Sequence, residues 1–305
     1  MRALFKKLNR ENGNVLVLVA AGMGALLLMT GLVIDGGNLF VKKSYLQKTA
    51  NAAALSGAQE IVNSEADVET VVNRILAEHG EEGSLQNLEI TIGSQLNVVL
   101  TKNVPLYFAS LFGIENVPVS ANAKAAINPM GAAVGAVPLG IDESVELNYG
   151  ETYTLKVDSG DVDHGNFGVL ALDGPGAKNY EQTLKYGFDE QLEVGDVIET
   201  ESGNMAGPTS EGVDYRIDQC PTPEGDYTDR NCPRIILVVV YKPHDVHNGK
   251  LNSVEVTGFA YFYLKERMSG HEDEINGVFI KRTGRGSTVD VPATDNGAYT
   301  VSLTE

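Results

Sequence analysis

Basic side chains are scarce in this chain: 23 Lys and Arg stand against 41 Asp and Glu, a formal net charge of -18. The deficit is uneven, with roughly 30 acidic residues against about 13 basic ones from position 131 onward. Nucleic acid and anionic lipid are held by Lys and Arg that neutralise phosphates, so the acidic body argues against a nucleic-acid partner. Cysteine is as sparse, with only Cys220 and Cys232, both in CPTPEGDYTDRNCP. That spacing lacks the close Cys pairs or Cys-His sets of a zinc site. It leaves a disulfide, the natural reading if this half lies outside the cell, or two free thiols. Charge is absent from Asn14 to Ile34, and no small-x-small step closes that run at Val33-Ile34-Asp35. A cleaved secretory signal is therefore disfavoured.

What is present at the amino end is NVLVLVAAGMGALLLMTGLVI, about 20 apolar residues, which at ~1.5 Å rise per residue match a ~30 Å hydrocarbon core. Arg2, Lys6, Lys7 and Arg10 precede it, and Lys42, Lys43 and Lys48 follow. By a small margin the positive-inside bias puts the amino terminus in the cytoplasm and the acidic bulk outside. Ala20, Gly24 and Gly31, with Ala21 and Ala25, keep the helix surface low enough for another membrane helix to pack closely. Beyond the span, Leu39, Leu46, Ala50, Ala53, Gly57 and Ile61 recur at helical spacing. One long helix is predicted, its lower half in lipid and its upper half on a soluble domain. Asp35 and Asn38 fall at the water boundary, and Lys42 and Lys43 are placed to snorkel toward headgroups. Gly36-Gly37 is the weak point, where each glycine costs up to about 1 kcal/mol relative to Ala and a kink is expected if anywhere.

The stretch GNVLVLVAAGMGALLLMTGLVIDGGNLFVKKSYLQKTANAAALSGA resembles the amino-terminal module of the TadE/TadG-like proteins of tight-adherence (Flp) pilus assembly. The resemblance rests on Gly13 before the span, the Asp35-x-Gly37 step after it, and the run of Leu46, Gln47, Ala50, Ala52, Ala53, Ala54, Leu55 and Ala58. It covers roughly residues 10 to 60, about a sixth of the chain. It implies a membrane-anchored pilus-assembly component with a pilin-like spine, whose partners are the lipid bilayer and other pilus-assembly or pseudopilin subunits. Pilins cut by a prepilin peptidase carry a Glu five residues after the cleavage point. Cutting after Gly13 puts Leu18 there, so processing at Gly13 stays open.

Residues 64 to 78 predict a second amphipathic helix, opened by a Ser64-Asp67 capping-box-like start. NLEITIG and QLNVVLTKNVP alternate as two strands around a Gly93-Ser94 turn, PLYFASLFGIEN reads as a short helix ended by Gly113, and NVPVSANAKAAI is a third strand. Tyr107, Phe108, Leu111 and Phe112 are expected in the core. NPMGAAVGAVP, residues 128 to 138, is taken as a linker. Beyond it ETYTLKV, NFGVLAL, DVIETES, RIILVVVYK, SVEVTGFAYFYLK and NGVFIKR are strand candidates, with NYEQTLKYGF the one helix. RIILVVV lacks alternation and should be buried on both faces. The expected fold is α+β. It divides into a basic leader (1–13), a transmembrane helix (14–34), a small α+β pilin-like unit (35–127), the linker, and a β-rich acidic domain (139–305).

Chemistry is weighed at four places. GDVIETESGNMAGPT offers Asp196 and Asn204 as a candidate binding loop, but a turn between strands needs only its glycines, and no Lys sits where a phosphate-binding loop requires one. DSGDVDHG offers Asp158, Asp161 and Asp163 to calcium, yet Val169 stands where an EF-hand needs Glu. HDVH (His244 to His247) sits in loop context, and neither cysteine lies in a hydrolase signature. No Asp-x-Ser-x-Ser metal motif of a von Willebrand A-type domain occurs. No catalytic residue, metal or cofactor is therefore expected. The function expected is a non-enzymatic, membrane-anchored component of Flp pilus assembly or anchoring. A membrane-tethered adhesion module is the alternative, and an extracellular enzyme is the remote third.

Overall fold

The computed structural model describes residues 12–156, 167–201, 205–223, 225–227, 229–247, 250–268 and 274–304. Helix α1 (Asn12–Ala58) runs 47 residues and passes through Gly36-Gly37 without a break. Backbone hydrogen bonds within one helix need no external partner, so the same rod can serve in lipid and against protein. Side chains decide which. From Val15 to Val33 nearly every one faces outward, whereas Leu46, Ala50, Ala53, Ala54 and Ala58 are buried.

Helix α2 (Glu65–Glu78) starts at Ser64, whose hydroxyl accepts the Asp67 amide and donates to the Asp67 carboxylate, and buries Val68, Val72 and Leu76. Strands β1 (Leu85–Thr91), β2 (Gln95–Pro105) and β3 (Asn116–Pro129) follow as an antiparallel meander. Alternation places Leu96, Val98 and Leu100 of β2, and Ala121, Ala123 and Ala125 of β3, in one core with the buried faces of both helices. The small side chains let α1 lie close. A Cβ on Gly57 would come within 2.6 Å of Val72 and 2.7 Å of Leu96.

The chain continues through β4 (Ala132–Val134), β5 (Ala136–Asp142), β6 (Thr152–Lys156), β7 (Phe167–Val169), α3 (Ala177–Tyr186), β8 (Gln191–Glu193), β9 (Val197–Glu199) and α4 (Ala206–Asp218). Then come β10 (Ile235–His247), β11 (Lys250–Leu264), β12 (Glu274–Ile280), β13 (Arg282–Thr283), β14 (Gly286–Ser287) and β15 (Ala298–Thr304). The large sheet of the head has the order β6-β12-β11-β10-β5-β7, with β9 also on β11; β14-β4-β8 form a small third sheet. As its unbroken apolar run predicts, the first half of β10, Ile236 to Tyr241, is buried on both faces. Ile236, Val238 and Val240 point to one core with Leu184 of α3 and Val213 of α4, and Leu237, Val239 and Tyr241 to the other.

Three expectations are corrected. Residues 128–138 are not a linker but the end of β3, all of β4 and the start of β5. The carboxyl-terminal β15 pairs antiparallel with β3, completing the first sheet as β1-β2-β3-β15-β13. The spine-bound unit is thus closed by the last residues of the chain. Finally, α4 was not expected, because AGPTSEGVDYRID is rich in poor helix formers. Packing overrides propensity there: Pro208 lies in the first turn, where its missing N–H costs nothing. Gly212 lets α4 approach Leu184 closely, and buried Arg216 donates to the carbonyls of Leu184 and Pro233.

Glu81, buried after α2, accepts from Lys102 Nζ on β2 at 2.7 Å and from the Ser84 hydroxyl. Burial pushes its carboxyl up, but the hydrogen bonds from Lys102 and Ser84 and the charges of Lys102 and Lys42 outweigh it and hold the group below its ordinary range. A carboxyl depressed in the folded state adds stability above its unfolded pKa and loses it as pH falls through the folded value. Glu81→Gln should therefore be less stable than the parent at pH 7, and the gap should narrow below about pH 4, measured by urea unfolding in detergent.

Candidate functional site

The β2–β3 hairpin rides down α1 toward its apolar run. From Gly57 to Asp35 the helix advances about 33 Å at ~1.5 Å per residue, and from Leu96 to Tyr107 the strand advances about 36 Å at ~3.3 Å per residue. The two rulers match, so the far end of the hairpin meets the helix where its apolar run stops. Along the way Gln47 Nε2 donates to the Asn122 carbonyl at 2.6 Å, and Asn38 Nδ2 to the Pro105 carbonyl at 3.1 Å. Lys43 donates to the Ser120 carbonyl, so it braces β3 where a headgroup contact was expected.

At that end Asp35 is buried to 6% exposure, not solvated at a water boundary. Its Oδ1 accepts the Tyr107 amide at 2.8 Å; its Oδ2 accepts those of Phe108 at 3.0 Å and Ala109 at 2.8 Å. These amides open a 3₁₀ turn (Ala109–Phe112) that ends on Gly113, whose positive φ of 85° suits only glycine well. A carboxylate bound by several backbone N–H groups needs no cation and no water. One turn below, the Phe108 side chain covers Gly31, where a Cβ would lie 2.6 Å from the ring.

That contact corrects two expectations. Gly31 serves the chain's own hairpin, not a partner helix, while an added Cβ on Gly24 meets nothing within 4 Å and Ala20 is exposed. Tyr107, Leu111 and Phe112 are exposed outside the core, because the helix covers only Phe108. Of the other motif positions, Gly13 lies in the first turn of α1 and Gly37 faces open space. Leu46, Ala50, Ala53 and Ala54 are buried.

A second joint holds the upper end of α1. Cys220 and Cys232 are bonded, with Cα atoms 4.8 Å apart, closing the loop after α4. Within it Arg230 bonds Glu60 Oε1 through Nε at 2.9 Å and the Thr283 carbonyl of β13 at 3.2 Å, and reaches the Gln59 carbonyl as well. The Thr283 hydroxyl donates to the same Gln59 carbonyl at 2.9 Å. Burial and the nearby Arg230 charge hold Arg282 below its usual range. No local pattern in the sequence marks Arg230, and the apolar pattern that places Phe108 in the core does not mark Gly31 as what it covers, since the partners lie far away along the chain.

The remaining candidates are dispersed. Asp196 accepts the Glu193 amide at 2.7 Å as part of the turn from β8 to β9. Asn204, the acidic turn at Asp158 to Asp163, and the basic leader from Arg2 to Arg10 lie outside the described residues. His244 and His247 belong to β10, not to a loop, because that strand runs past Pro243 to His247. The described residues hold no group of three or more His, Cys, Asp or Glu placed to share a metal ion.

The model of the Flp pilus-assembly TadE/G-like family matches residues 13–60, the length of α1 with its apolar run, Asp35 and its alanine stripe. No curated protein and no solved structure matches the chain significantly. Among the described residues α1 is the one helix long and apolar enough to cross a membrane. Match and helix together fit a single-pass, membrane-anchored protein of pilus assembly.

Asp35→Asn replaces two acceptors with one and turns an amide toward backbone donors, so the joint should weaken by roughly 1–3 kcal/mol. Proteolysis of the detergent-solubilised protein should then quicken between Tyr107 and Phe112, while cleavage elsewhere stays slow. Replacing both cysteines with Ser should cost the head about 3 kcal/mol by the chain-entropy estimate, read as a lower thermal unfolding midpoint.

Proposed function

We propose that this chain is a membrane-anchored component of Flp pilus assembly that works through protein contacts and not through catalysis. Its amino terminus faces the cytoplasm and its acidic head the cell exterior. The observation that carries this reading is the match over residues 13–60 falling on a helix that is apolar and exposed below Asp35 and buried on alanine above it. A helix of that kind anchors a rigid head to a bilayer and leaves an open small-residue surface at Ala20, Ala21, Gly24 and Ala25. In lipid, where helices gain nothing from the hydrophobic effect on meeting, such low surfaces allow the close backbone approach that drives association. The external side for the head is supported by the basic leader, the excess of acid in residues 131–305 and the disulfide, which persists in oxidising surroundings.

Gly24 is the position to test, because bulk there disturbs nothing within the chain, whereas bulk at Gly31 would displace Phe108. Gly24→Leu should reduce co-purification of other pilus subunits from membranes of piliated cells, with thermal stability unchanged. Equal recovery of partners would remove the helix-packing role. Deleting the whole protein from piliated cells separates this reading from a tethered adhesion module: the first expects lost piliation, the second normal pili with lost attachment to a surface.

A further inference from the structure

The tip of the β2–β3 hairpin exposes a cluster of large apolar side chains beside α1. Leu111 is 78% exposed, Phe112 68%, Tyr107 63% and Ile114 52%. In a chain with net charge -18, no charged residue occurs between Lys102 and Glu115. Its position along α1 is set by the Phe108 ring on Gly31, three residues inside the apolar run that ends at Ile34, or about 4.5 Å below that end at the helical rise. The exposed apolar side chains of the turn therefore share a level with the outward-facing Leu32, Val33 and Ile34.

The backbone of the turn suits the same surroundings. A non-helical segment near hydrocarbon must satisfy its own polar groups, each costing several kcal/mol if it does not. Asp35 takes the amides of Tyr107, Phe108 and Ala109. The amides of Leu111, Gly113 and Ile114 close on the carbonyls of Phe108, Ser110 and Ala109, and the Ser110 hydroxyl closes on that of Tyr107. Asp35 has its charge turned inward onto these amides, and the next acid, exposed Glu115, stands at the base of the turn, where its carbonyl takes the Leu106 amide, on the side away from the tip.

We infer that the Tyr107–Ile114 turn is a second membrane contact, lying in the interfacial layer of the leaflet from which α1 emerges. The inference rests on α1 spanning the bilayer. Its physical basis is continuity: the exposed apolar face of the helix passes onto the exposed apolar face of the turn at equal depth. Tyr107 has the apolar body and polar tip favoured in that layer. Two contacts separated laterally resist tilting of the head, which one helix alone does not.

The absence of tryptophan from the chain provides a clean probe. Three full-length variants, each with one Trp, are reconstituted in phosphatidylcholine vesicles with brominated acyl chains: Phe112→Trp at the tip, Leu27→Trp in mid-span, and Ile92→Trp at the distant β1–β2 turn. All three positions are exposed, so the larger ring disturbs little. Phe112→Trp should emit blue-shifted light and lose most of its intensity to lipids brominated near the headgroup. Leu27→Trp should lose most to lipids brominated deep in the chain, and Ile92→Trp should keep its emission. If Leu27→Trp is quenched while Phe112→Trp behaves like Ile92→Trp, the inference fails and the anchor stands. If Leu27→Trp also escapes quenching, the anchor itself fails. A blue-shifted but unquenched Phe112→Trp at high protein-to-lipid ratio means that a second subunit covers the turn, which likewise overturns the lipid contact.

Discussion

The structure depends on one helix meeting two environments without interrupting its own backbone hydrogen bonds. Below Asp35 the side chains of α1 are mostly apolar and outward, except where Phe108 covers Gly31; above it they are small on one face, and that face is buried. The change is made by side chains alone, so it needs no linker and no hinge. Gly36-Gly37 sits at the transition and is accommodated within the continuous helix, because the hairpin braces the rod on both sides of it through Asp35 and Asn38.

Alanine is what lets the upper half of the rod serve as a core element. Ala50, Ala53 and Ala54 on α1 share a core with Ala121, Ala123 and Ala125 on β3, Gly57 lies close against Val72 and Leu96, and this close approach keeps the hairpin alongside the helix. Larger residues would widen the gap and carry the tip of the hairpin away from Gly31. Register, depth and the Asp35 contact are therefore linked. A carboxylate can be buried at the end of an apolar run only because three successive backbone amides arrive there together.

The head is fixed to the upper end of the same helix by different chemistry. Arg230 and Thr283 take the carbonyl of Gln59 just past the end of α1, the disulfide orders the loop that carries Arg230, and β15 returns from the far end of the chain to pair with β3. Spine and head thus share a sheet and side-chain bonds, and the disulfide within the head orders the loop that makes those bonds. A load on α1 would pass into the sheets without crossing a flexible linker.

Much of this was legible in the residues themselves. The length and neutrality of Asn14 to Ile34, the alanine register after Asp35, the Ser64 cap, the alternation of β1 to β3 and the unbroken run of β10 each mark local structure by composition and period. Those signals act within a few turns, where sequence spacing is spatial spacing. What only the tertiary structure decided involves partners far apart in the chain. Asp35 acquires the amides of Tyr107 to Ala109, Gly31 receives Phe108, Arg230 finds Glu60 and Thr283, and β15 joins the first sheet although the head precedes it. α4 belongs with these, since its packing on Leu184 outweighs a sequence poor in helix formers. Periodicity says which face a residue presents; it does not say which distant segment will come to cover it, because that follows from how the elements close-pack around a shared core.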